Sequence, residues 1–174
     1  MDSYFDFLLL AEERYSVRSF ADKPVGADVL QRILRSGQVA PTACNLQPQR
    51  IYVLQSEEAL EKLKKCTPCH FNAPLGLLVC ADMDECWERT YDGQPSGIID
   101  ASIVATHMML QASAEGVGST WVMHMDPEAI VEAYDLPENQ LPVCLLMMGY
   151  AAEDAMPAAG HLRKRPLQET VTYL

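Results

Sequence analysis

The stretch Ile98–Val117 constrains the fold more than any other. Ala101, Val104, Ala105, Met108 and Ala112 recur there at helical spacing and share one face. Three of the five are alanine, so that face can approach a neighbour closely. Gly116 and Gly118 then stop the helix. Such a helix needs a broad apolar surface to lie on. Two nearly all-apolar runs, Pro74–Ala81 and Leu141–Tyr150, read as buried strands that supply it. A chain of 174 residues, 49% hydrophobic and 21% charged, suits one packed domain with one core.

The rest of the chain alternates in the same way. Phe5–Glu12 reads as a first helix with Ser3 as its cap, and Asp28 is expected to cap a second, with Gly37 near its end. Ala40–Pro48 carries two prolines and is a loop. Arg50–Gln55 reads as a strand, and Ser56 caps a helix running to about Lys65. Asp82–Gly97 is a loop of mixed charge. Ser119–Met125 reads as a strand, Asp126 caps a helix with Pro127 in its first position, and Thr170–Leu174 is strand-like. Helices alternating with a few buried strands indicate a layered α/β or α+β protein.

The net charge of -11 opposes binding to nucleic acid or to anionic membrane surfaces, both of which need a basic face. No apolar run approaches the ~20 residues of a membrane span. The opening MDSYFDFLLLAEE is acidic and carries no cleavage signal, so a cytoplasmic location is expected. The six cysteines are then expected to be mostly reduced.

Several chemistry-bearing motifs are missing. No G-x-G-x-x-G follows a strand, and there is no P-loop, no H-E-x-x-H, no G-x-S-x-G and no metal spacing among the four histidines. Any chemistry is then expected from a bound cofactor. Three segments fit that expectation. Arg14, Tyr15, Ser16 and Arg18 offer guanidinium forks and hydroxyls suited to a phosphate monoester. Pro41, Thr42, Ala43, Asn45 and Gln47 lie on a stiff loop with carboxamides that can hydrogen-bond a heteroaromatic ring or a polyol. Gly116–His124, with Trp121, Val122, Met123 and His124, is a helix end feeding a strand. Taken singly, each has a plainer reading: the arginines as surface charge, the loop as a helix-to-strand connector and the glycine turn as a helix C-cap.

In order and spacing these segments resemble the nitroreductase family of FMN enzymes. The resemblance runs from about Arg14 to Val171 through RYSVRSF, APTACNLQPQR, NAPLGLLVCAD, IDASIVATHMMLQASAEGVGSTWV, LPENQLPVCLLMMGY and RKRPLQETV. It implies an α+β fold with a central, mostly antiparallel sheet flanked by helices. It also implies one FMN-binding domain over residues 1–174, and an intertwined homodimer with two FMN sites at the interface. Arg14, Ser16 and Arg18 would lie near the phosphate or ribityl end, joined by Arg163 and Arg165. The Pro41–Gln47 residues would come mainly from the partner subunit. Trp121–His124 would line one ring face, with the Met123 and His124 backbone near flavin N5 and O4. Gln49 departs from the aromatic that often follows Gln-Pro in the family, and the short Asp82–Gly97 stretch implies an open site.

The implied function is transfer of electrons from NADH or NADPH through FMN to a small electron-poor acceptor, such as a nitroaromatic or quinone, by ping-pong turnover. A non-catalytic flavin-binding or storage protein of the same fold is the alternative; a structural protein that has lost FMN is a third. His124 could donate a proton or serve only through its backbone. Cys66-Thr67-Pro68-Cys69-His70 matches both a dithiol pair and a haem-attachment pattern. A helix end and turn is the plainer reading. The nine methionines are expected to fill core and interface gaps.

Overall fold

A computed structural model describes residues 6–174. Ser3 and Phe5, expected at the start of the first helix, lie outside the described residues. That helix, α1, spans Phe7–Glu13 and is capped by Asp6, whose carboxylate accepts from the Leu8 and Leu9 N–H groups. The remaining helices are α2 (Ala27–Gln38), α3 (Glu57–Cys66), α4 (Gly97–Ala114), α5 (Pro127–Tyr134) and the single turn α6 (Leu167–Thr170). The strands are β1 (Gln49–Leu54), β2 (Leu75–Asp82), β3 (Gly118–Val122) and β4 (Gln140–Gly149). They form an antiparallel sheet in the order β1-β2-β4-β3.

The two apolar runs are the inner strands, as their composition required. Every residue of β2 is buried, and so is β4 from Val143 onward. Successive side chains serve opposite faces. Leu77, Val79, Leu146 and Met148 meet α2 and α4 on one side; Leu78, Cys80, Leu145 and Met147 meet α3 and α5 on the other. The expected face of α4 is fully buried: Ala101, Val104, Ala105, Met108 and Ala112 are all at 0% exposure.

Ser56 caps α3 through Ala59 N–H, and Asp126 caps α5 with Pro127 in its first turn. Asp28 does not cap α2. The cap is Gly26, which has no side chain to offer, and Asp28 lies in the first turn, where its charge favours the positive helix end. Gly37 does more than stop that helix. It is buried, and a Cβ there would stand 2.9 Å from Met108 Cγ, so its bareness lets α2 cross α4 closely. The C-terminus also differs from expectation. Thr170 ends α6, and 171–174 form no strand, because no neighbouring strand in this chain takes up their backbone groups. Among the described residues, no helix is long and apolar enough to cross a membrane.

Candidate cofactor-binding site

The chain leaves α1 at Arg14 and runs directly against the start of β3. Val17 N–H donates to the Ser119 carbonyl at 3.0 Å, and Ser16 bridges Ser119 in parallel pairing. The approach is close: a Cβ on Gly118 would meet Val17 Cγ2 at 2.6 Å. This contact brings the first and third sequence segments together. A cavity of about 170 Å³ opens between them, lined by Glu13, Arg14, Tyr15, Gly116, Gly118 and Ser119 among others. Gly116 adopts φ +71°, the left-handed stop expected after α4. Arg18 is exposed, and its guanidinium donates to the Ser16 carbonyl at 3.3 Å.

The tail approaches the same place. The Tyr15 and His161 rings meet edge to face at 6.2 Å, which puts Arg163 two residues from this contact. Arg163 and Arg165 are both exposed, and Arg165 pairs with Glu169 at 3.5 Å. At the other end of β3, Trp121 packs on the α2–α4 core and Val122 on the opposite one. Met123 and His124 are exposed. By strand rise, Ser119 and Met123 stand about 14 Å apart. The wall therefore runs from an arginine-bearing end to an exposed backbone end.

The second segment lies elsewhere. Buried Asp100, in the first turn of α4, accepts from Ala43 N–H at 2.9 Å and from Ser96 Oγ at 2.7 Å. The loop is wound tightly, with Cys44, Asn45 and Gln47 at φ of 50°, 55° and 55°. Three non-glycine residues in left-handed backbone are held by bonds such as Gln47 N–H to Thr42 Oγ1 at 3.0 Å. Strain of this kind collects at binding sites. The cavity at Arg14 touches Ser113, at the far end of α4. Asp100 and Ser113 are separated by about 20 Å of helix. One chain therefore does not bring the Pro41–Gln47 loop to the Arg14 cavity.

The sequence profile of the nitroreductase family matches residues 11–71 and 66–150. The chain belongs to the nitroreductase family. A nitroreductase-family protein from Clostridium difficile 630 is similar in structure, with a TM-score of 0.92, 40% identity and coverage of 97% of this chain and 98% of that one. An FMN-dependent nitroreductase from Clostridium difficile R20291 is 26% identical, with a TM-score of 0.77 and coverage of 94% and 96%. Among curated relatives, an NADPH-dependent oxidoreductase of Staphylococcus aureus is 28% identical over 168 residues, covering 86% of this chain and 66% of its own length.

Two features of this nitroreductase-family chain bear on the expectations above. Gln49 opens β1, and its Oε1 is buried with no protein hydrogen-bond partner. Of the Asp82–Gly97 stretch, Asp82 ends β2 and Gly97 opens α4, and 83–96 between them contain no helix; they are built from turns held by an Arg89–Asp92 fork at 2.7 and 2.6 Å. Sequence reasoning missed Asp100, Ser96 and Thr67. An acid one position before the apolar stripe of α4 was the available signal for Asp100. Thr67 carried none, because its partner is 57 residues away.

Proposed function

We propose that this chain works as an FMN-dependent NAD(P)H oxidoreductase, as a homodimer, reducing small electron-poor acceptors such as nitroaromatics or quinones. One observation carries the reading: the candidate site is split between the two ends of α4. The cavity at Arg14 is small beside the roughly 300–1,000 Å³ of typical ligand pockets. The strained loop that should complete it is anchored a helix-length away. A second copy running antiparallel across a two-fold axis sets the Asp100 end of its α4 beside the Ser113 end of the first. The outer face of α4 suits such contact, because Ile98, Ile99 and Ile103 line an open apolar groove there.

The donor set fits a flavin mononucleotide. The Arg14 guanidinium and the Ser16 hydroxyl would hold the phosphate, supplemented by Arg18, Arg163 and Arg165 because Glu13 shares the rim. Tyr15 would flank that end. Thr42, Asn45 and Gln47 of the other subunit would hydrogen-bond the ribityl chain or ring edge, while Pro41 and Ala43 stiffen their loop. Trp121 and Val122 would back the ring, and the Met123 and His124 backbone would face its polar edge. When bound, FMN supplies the redox chemistry, taking hydride from NAD(P)H and returning electrons to the acceptor. Trp121, Val122, Met123 and His124 would orient the ring. Donor and acceptor would use the open ring face in turn, which would give ping-pong kinetics. The names of the R20291 nitroreductase and the Staphylococcus oxidoreductase support the choice of cofactor and donor.

The test is direct. Purified protein mixed with FMN should turn yellow and retain the colour through gel filtration. It should then consume NADH or NADPH steadily with a quinone or nitrofuran, with parallel double-reciprocal lines. Arg14→Ala should lose most of the bound FMN. Tight FMN binding without turnover would instead identify a flavin carrier, and full FMN retention by Arg14→Ala would remove Arg14 from the phosphate site.

A further inference from the structure

The Cys66–His70 motif has no part in the reading above, yet it is joined to the wall strand of the site. Pro68 holds the preceding Thr67 in extended backbone, φ -154° and ψ 138°. Thr67 is 2% exposed. Its hydroxyl donates to the His124 carbonyl at 2.5 Å and accepts from Cys69 N–H at 3.0 Å. Next to it, Asp126 N–H donates to the Cys66 carbonyl at 2.9 Å, and Met125 N–H closes a tight turn onto the Met123 carbonyl at 2.9 Å. Cys66 is itself buried, its thiol bonded to the Lys62 and Ala129 carbonyls at 3.4 and 3.5 Å. The motif therefore buttresses the segment 123–126 from below. Cys66 and Thr67 each supply one hydrogen bond to that segment, beside its own turn and the Asp126 cap of α5.

We propose that Thr67 is a positioning residue of the cofactor site: its hydroxyl fixes the His124 carbonyl, and so sets the Met123–His124 backbone against the flavin ring. The inference rests on the FMN reading above. The geometry explains why a hydroxyl is needed there. The His124 carbonyl needs a donor and the Cys69 N–H needs an acceptor, and one side chain serves both. Valine has the same shape and serves neither. Serine keeps both bonds. Losing the hook frees the exposed end of β3 to shift, and a small misplacement at a reacting edge slows transfer far more than it weakens a ligand held mainly by its phosphate end.

Thr67→Val and Thr67→Ser are compared with the wild type in two arms. In the FMN-free protein, amide hydrogen exchange at Met125 and Asp126 should speed up about tenfold in Thr67→Val, with the β4 amides unchanged and Thr67→Ser like wild type. In the FMN-loaded protein, Thr67→Val should keep FMN affinity within about threefold. It should alter the visible circular dichroism of the flavin and reduce it with NAD(P)H about tenfold more slowly; Thr67→Ser should restore both. Unchanged exchange at Met125 overturns the proposal. So does faster exchange with the flavin dichroism and reduction rate untouched, which would make the hook purely structural. A wild type that takes up no FMN sinks the functional reading, whereas the first arm still reports on the hook. If Thr67→Val does not fold, Thr67→Ala removes the hydroxyl without pressing a methyl on the His124 carbonyl and is judged by the same outcomes.

Discussion

Cys80 lies in the middle of β2 at 0% exposure, and burial pushes its thiol up to about 12. Burial also raises the thiols of Cys144 on β4 and of Cys66, the latter with a smaller contribution from Asp126. Cys44 stands exposed on the strained loop. Reactivity follows the thiolate and access to it. A disulfide-exchange reagent added to the native protein at about pH 8 should therefore modify Cys44 first, and should reach Cys66, Cys80 and Cys144 only after denaturant is added. Peptide mapping of the labelled protein checks the order. Rapid native labelling of Cys66 would show that the buried motif opens and would revive the dithiol reading. Polar residues divide along the same line. Asp100 and Thr67 are both buried, and each holds a backbone group of a loop on which the proposed site depends.

Among the elements, α2 and α4 are tied at one end by a two-pronged ion pair. Arg32 Nε and Nη2 donate to the Glu115 carboxylate, both at 2.7 Å. Chiefly through this hydrogen bond, Glu115 is held below its ordinary value of 4.5. A carboxylate depressed in the folded state stabilises above its unfolded pKa and loses that contribution as pH falls through the folded one. Glu115→Gln should thus lower the melting temperature at neutral pH and leave a smaller gap to wild type in acid, below the ordinary carboxylate range. A constant gap across the pH series would show that the pair contributes nothing specific. Local chemistry placed α3 and α5 well, because Ser56 and Asp126 form caps within three residues of themselves. It misplaced the cap of α2, since the chain turns into that helix at Gly26 before Asp28 is reached. Thr170–Leu174 reads as a strand by composition, but a strand exists only where another strand accepts it.

For the whole molecule, the outer face of α4 decides the proposal. Ile98 and Ile99 are 49% and 58% exposed, and Phe7, Leu8 and Leu9 of α1 are 50–65% exposed. So much exposed apolar surface beside a divided site is the expectation for an interface between copies. Ile99→Glu sets a charge in the groove at a position that is 58% exposed and lies off the buried face of α4. It should shift the protein to monomer in sedimentation velocity and abolish FMN retention in the same sample. A monomer that still holds FMN would place the site within one chain and contradict the two-copy arrangement. The order β1-β2-β4-β3 belongs to this scale too; it pairs β2 with β4 although α4, β3 and α5 lie between them in the chain, and no local pattern specifies that.

The sequence by itself determined which stretches are inner strands and which face of α4 is buried, and it marked the segments proposed to hold a phosphate and a ring. Periodicity, caps and side-chain type are properties of neighbours along the chain. Only the tertiary structure decided that Val17 meets Gly118, that the Pro41–Gln47 loop sits at the far end of α4, and that Thr67 holds His124. Those relations depend on which distant residues the packing of the sheet brings within bonding distance, and a chain read in order carries no measure of that.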